Sequence, residues 1–156
     1  MTGAGAIAID LDALGDTRPL WNDWLASASP LLGVDPATLP ADRGEAAAVL
    51  DAADAGNWRA LLERFSEDRA PAYLRRDATT SAALRALAAG GCRLGVFTDA
   101  PEPLARVAIA QLGAGRRVGE IEAGAGALER LLATLGAAAL VVRSREELRA
   151  AAECLP

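Results

Sequence analysis

Asp10 and Asp12 close the first apolar run of the chain, in AIAIDLDALGDTRP (residues 6–19). Thr98 and Asp99 close a second, in GVFTDAPEP (95–103), and Arg143 follows another, in VVRSREEL (141–148). What these residues could do is bounded by what is missing. There is no histidine, and all 16 basic residues are arginine, so there is no lysine. Ser-His-Asp and Cys-His catalysis are excluded, as are histidine-ligated zinc, Schiff-base lysines and the phosphate-binding lysine of a P-loop.

The totals narrow the partners. At 156 residues the chain is one domain with room for a small insertion, and long enough to bury a core. A net charge of −5 without a basic arm argues against nucleic acid. No apolar run has membrane-spanning length and no signal peptide is recognisable, so no membrane is expected and the expected location is the cytoplasm. There Cys92 and Cys154 are reduced thiols rather than a disulfide or metal site. The Ala-rich, Arg-for-Lys bias fits a GC-rich bacterial genome.

Elements must position the candidate residues. Four short apolar runs read as buried parallel strands: 6–9, 93–97, 117–121 and 139–142. Helices are expected at 79–89, 101–112, 126–135 and 144–154, with Gly90-Gly91 and Gly113 as stop signals. Strand–helix alternation predicts an α/β fold, a parallel sheet flanked by helices. Residues 19–77 break the alternation and read as helices at 19–32, 43–55, 57–69 and 71–76. All three tryptophans lie there (Trp21, Trp24, Trp58), predicting a helical subdomain with its own aromatic core. The core domain is then 1–18 with 78–156, and the helical cap 19–77. In open parallel sheets ligands bind beyond the carboxyl ends of the strands, where Asp10-Leu11-Asp12, Thr98-Asp99 and Arg143-Ser144 all fall.

In this order the segments resemble the haloacid dehalogenase (HAD) superfamily, in its phosphoglycolate-phosphatase-like branch. That family opens with a strand ending in Asp-x-Asp, turns the chain right after the first Asp, and inserts a helical cap. Its second motif is a strand ending in Thr or Ser followed by a helix, as in GVFTDAPEPLARVAIAQLG (95–113). The resemblance implies a four-stranded sheet of order 3-2-1-4, with the family's fifth strand missing. It implies Asp10 as nucleophile, forming an aspartyl-phosphate, Asp12 as general acid and base, and Thr98 with Asp99 at the phosphate. It implies Mg²⁺ held by Asp10, by the backbone carbonyl of Asp12 and by an acid after strand four, for which Glu147 is the remaining candidate.

The chain departs from the family at two motifs. Glu122 stands near the position of the third-motif lysine, and Arg143 replaces the fourth-motif acid. A carboxylate nucleophile and a phosphate repel each other by about 4 kcal/mol per charge pair at 4 Å and an effective dielectric of 20. Mg²⁺ and lysine normally remove that barrier. The reading is therefore of a pocket that kept its anions and lost its cations. It predicts a phosphatase-like hydrolase with weak or lost turnover, acting on a small phosphorylated molecule with Mg²⁺ if active and no cofactor otherwise. The alternative is a non-catalytic ligand-binding or protein-interaction module on the same fold. A homodimer is expected through strand four, left as an uncovered edge, or through the cap.

Overall fold

Alternation along the first two strands divides the molecule into layers. The computed structural model describes residues 5–155. In β1 (Ala6–Asp10) and β2 (Arg93–Thr98), Ile7, Ile9, Leu94 and Val96 face one side of the sheet, whereas Ala8 and Phe97 face the other. With β3 (Glu120–Ala123) and β4 (Leu140–Val142) they form one parallel sheet of order β3-β2-β1-β4, the expected arrangement. Leucine and alanine from α5 (Ala78–Ala89), α6 (Glu102–Leu112) and α8 (Arg145–Glu153) complete the core on the first face. On the second, α7 (Ala127–Leu135) lays Ala127, Leu131 and Leu135 over Ala8 and Phe97.

Register decides what reaches the carboxyl edge. Asp10 pairs with Phe97, Thr98 with Ala123 and Ile9 with Val142. Asp10, Thr98 and Arg143, the residue after Val142, therefore emerge at the same edge. Immediately beyond Asp10 the chain turns into one helical turn, α1 (Leu11–Leu14), which Asp10 caps by accepting the Asp12 N–H at 3.0 Å.

Between β1 and α5 lie α2 (Arg18–Leu32), α3 (Arg43–Ala52) and α4 (Trp58–Tyr73). Side-chain caps start α3 at Asp42, α4 at Asn57 and α5 at Asp77. Trp21 and Trp24 meet at 5.2 Å between ring centroids, Trp24 and Trp58 at 6.0 Å, all three fully buried. The Trp58 indole N–H donates to Asp51 at 2.9 Å.

Three sequence expectations are corrected in detail. The third strand begins at Glu120, not 117. Residues 115–117 form a turn closed by the Arg117 N–H to Ala114, and Val118 is a buried plug ahead of the sheet. The separate helices at 57–69 and 71–76 are one helix. Pro71 sits in its last turn, where a missing N–H removes a single bond, and the Leu74 N–H still closes on Ala70 at 2.8 Å. The aromatic cluster is also not the insertion's own. Ala100 and Leu104, at and before the start of α6, are buried within it.

Candidate functional site

Asp10, Asp12, Thr98, Asp99 and Arg143 line one cavity of about 430 Å³ at the carboxyl edge of the sheet, together with Arg18. Five of the sequence-predicted site residues thus share one place. Each is delivered by a strand end or the turn after it, as the parallel topology requires. Thr98 is almost fully buried, and its Oγ1 accepts the Ala100 N–H at 3.2 Å, leaving its own proton to donate.

Glu122 and Glu147 are not among them. Glu122 turns to Arg130, 2.9 Å away, and Arg130 also donates to the carbonyls of Ala123 and Ala125. That arrangement braces the loop after β3 from outside the cavity. The Glu147 Oε2 accepts the backbone N–H of Arg143 at 2.8 Å, closing the first turn of α8. As a metal ligand beside Asp10 it is out of place.

A cation reaches the site from an element the motifs do not cover. Arg43, the first residue of α3, is 1% exposed. Its Nε donates to Asp99 Oδ1 at 2.9 Å and its backbone N–H to Asp99 Oδ2 at 3.0 Å. Its Nη1 donates to Thr17 Oγ1 at 2.6 Å, and its Nη2 lies 2.8 Å from Asp99 Oδ1 and 3.4 Å from Asp12 Oδ2. Thr17 in turn donates its hydroxyl and backbone N–H to Asp12 Oδ1, at 2.8 and 3.2 Å. Asp12 thus accepts at both oxygens. Gly44 makes the approach possible: a Cβ there would lie 2.7 Å from the Ala125 backbone nitrogen. Two more arginines stand around the cavity. Arg18 reaches Asp99 at 3.4 Å, and Arg143 lies 4.0 Å from Asp10 with its guanidinium 5.4 Å from the Phe97 ring centre.

Arg143 stands beside Asp10, and the expectation of anions otherwise without cations is corrected by Arg43 and Arg18. The inner carboxylates Asp10, Asp12 and Asp99 face the guanidinia of Arg18, Arg43 and Arg143. Burial raises the Asp10 carboxyl above the ordinary carboxylate range, and the charges of Asp12 and Asp99 add to that. The Asp12 N–H and Arg143 oppose it without reversing it. Burial pushes Asp99 the same way, but the hydrogen bonds and charge of Arg43, with Arg18, win and hold it below the ordinary range.

Arg43 carries only weak sequence signals. An arginine in the first turn of a helix opposes the helix dipole, and a glycine behind it weakens the helix. Two locally unfavourable choices in a row mark a position held by something non-local.

The donor set does not fit Mg²⁺. Of the Asp10 oxygens, Oδ1 caps α1 and Oδ2 faces a guanidinium. The acid expected after β4 is missing from the site: Arg143 follows the strand, and Glu147 is held by the Arg143 N–H. Among the described residues no three His, Cys, Asp or Glu side chains converge to hold an ion.

The sequence matches no protein-family model and no curated protein. Among solved structures it is similar to the crystal structure of a putative beta-phosphoglucomutase from Thermotoga maritima, at 17% identity and a TM-score of 0.56. The match covers 96% of this chain and 82% of that one. At this identity the likeness concerns the fold. Sheet order, the turn after Asp10, the helical insertion and the structural match agree: the chain has a HAD-like fold.

Proposed function

We propose that this protein is a phosphatase-like hydrolase of HAD fold, with weak or lost turnover, whose pocket takes a small phosphorylated molecule. The supporting observation is Arg143, whose guanidinium lies 4.0 Å from the Asp10 carboxylate at the end of β4, where the family resemblance implies an acid. Asp10 holds the nucleophile's position at the strand end. Thr98 has a hydroxyl proton for a phosphate oxygen. A guanidinium beside Asp10 draws on the electron pair that would attack phosphorus. The Asp12 carboxylate is held by Thr17 and Arg43 rather than turned wholly to the cavity. Each deficit of about 1.4 kcal/mol in the barrier is tenfold in rate.

The test is hydrolysis of p-nitrophenyl phosphate with and without Mg²⁺. The expected rate is about 0.01 s⁻¹ or less, against the 1–1000 s⁻¹ usual for enzymes. Any residual rate is abolished in Asp10→Asn. Turnover above about 1 s⁻¹ that requires Mg²⁺ and Asp10 would overturn the reading. Arg143→Asp, which returns an acid to the end of β4, is expected to raise the rate in Mg²⁺.

A second reading, a non-catalytic ligand-binding or interaction module, is favoured by Arg43. Its guanidinium is consumed by Asp99, Thr17 and Asp12, within the protein itself. A zero rate in every variant, including Arg143→Asp, would favour this second reading over the first.

A further inference from the structure

Arg143 and Arg18 have hydrogen-bonding capacity to spare, unlike Arg43. The Arg143 side chain is 58% exposed, and its nearest carboxylate is only at 4.0 Å. Arg18 is 40% exposed; its Nη1 donates to the Ala41 carbonyl at 2.9 Å, while its Nη2 meets Asp99 only at 3.4 Å. Both line the cavity. So do Leu128 and Glu129 in the first turn of α7, a helix whose N-cap is Gly126 and which has no side-chain cap. Their backbone N–H groups have no partner within the helix. The Thr98 hydroxyl completes a set of donors around one space.

The charge count points the same way. Three guanidinia, those of Arg18, Arg43 and Arg143, face the three inner carboxylates Asp10, Asp12 and Asp99. An entering anion meets inner carboxylates already faced by guanidinia; the other two carboxylates of the lining, Asp42 and Glu129, are solvent-exposed, where water and salt screen them. Arg43 does its part from a buried position by cancelling Asp99, which leaves Arg143 and Arg18 to touch the ligand.

We propose that the pocket binds a phosphate-type oxyanion without a divalent metal, through Arg143 and Arg18. The inference rests on reading the cavity as a phosphate site, but not on turnover. Its test is calorimetric titration of the whole chain with orthophosphate, in EDTA and again in Mg²⁺. The dissociation constant is expected to agree between the two buffers to within about twofold. Arg143→Gln is expected to weaken binding about tenfold and Arg18→Gln about threefold, the loss of a charge-assisted contact. Arg143→Lys recovers part of the loss. Arg116→Gln, at an exposed arginine in the turn before β3, leaves binding unchanged. Because Arg143 is exposed, thermal denaturation of Arg143→Gln should match the wild type, which separates a binding loss from a folding one. Phosphate binding that appears only with Mg²⁺, or Arg143→Gln binding as tightly as the wild type, would overturn the metal-free site while leaving a phosphate pocket standing. No phosphate binding in either buffer would sink both.

Discussion

Asp10 is held in a place its ionised form dislikes. Burial raises its carboxyl above the usual range, so the fold favours the protonated group. For such a shift the stabilisation is present below the unfolded value of about 3.9 and is lost as pH rises through the folded one. Asp10→Asn keeps the oxygen that caps α1 and removes the buried charge. Its melting temperature at pH 7 should exceed the wild type's by a few °C, a gap that closes as the pH is lowered through the acid range. Asp99 behaves oppositely. Arg43 and Arg18 hold it below the usual range against the effect of burial, so its contribution is present above about pH 3.9 and fades as pH falls through its folded value. Asp99→Asn leaves Arg43 buried without its counter-charge, and urea titration at pH 7 should show a loss of about 3 kcal/mol. If instead that variant unfolds at the wild-type midpoint, Arg43 is not carrying the contact between α3 and the sheet edge. The two positions show what could be read from sequence and what could not. Asp10 announces itself by closing an apolar run. Arg43 has no motif, because its partners Asp99, Thr17 and Asp12 are brought to it only by the chain's third dimension.

Elements meet where small residues let them. Gly95, in the middle of β2, is where α7 rests on the sheet: a Cβ there would lie 2.5 Å from Leu131 Cδ1 and 3.1 Å from Leu135 Cδ1. Gly95→Ala forces Leu131 and Leu135 to turn or α7 to move outward, at about 1–3 kcal/mol because Leu131 is fully buried. Since the first turn of α7 lines the cavity, the same variant should weaken phosphate binding although residue 95 does not touch it. Ser66, on α4, is a defect of the opposite kind. It is fully buried and its hydroxyl has no hydrogen-bond partner among the described residues. Ser66→Ala should therefore stabilise the protein by about 1 kcal/mol, read as a higher urea midpoint with an unchanged slope. Most elements were legible because their signals are local: apolar runs of strand length for β1, β2 and β4, and glycine stops after α5 and α6. The third strand was placed early because Val118 looks like a strand residue. Its burial comes from plugging the core ahead of the sheet, a role that composition does not distinguish. The break expected at Pro71 rested on a sound rule applied one turn too far from the helix end.

At the scale of the whole molecule, the insertion and the sheet are joined twice. Polar contacts run from Arg43 to Asp99 and Asp12. Apolar ones run through the tryptophan cluster, which takes in Ala100 and Leu104 from the sheet side. A helical subdomain with a private core would melt by itself, and the sequence suggested such a subdomain because all its tryptophans lie between Trp21 and Trp58. What the sequence could not reveal is that α6 serves two cores at once: Leu104 enters the aromatic cluster, while Ala105, Ala108 and Ile109 face the sheet. A helix shared in this way couples the two parts, because neither can lose its packing without exposing the other's. The expected behaviour is one cooperative transition. Tryptophan fluorescence reports the insertion alone, since no tryptophan lies elsewhere, whereas far-ultraviolet circular dichroism reports every helix. In urea the two signals should share one midpoint and one slope. Leu104→Ala is the sharper version. Leu104 is fully buried, and its truncation should destabilise by about 2–5 kcal/mol. If the coupling holds, the fluorescence and dichroism midpoints fall together. If the fluorescence midpoint falls and the dichroism midpoint stays, the insertion is an independent unit after all, tied to the site by Arg43 and Arg18.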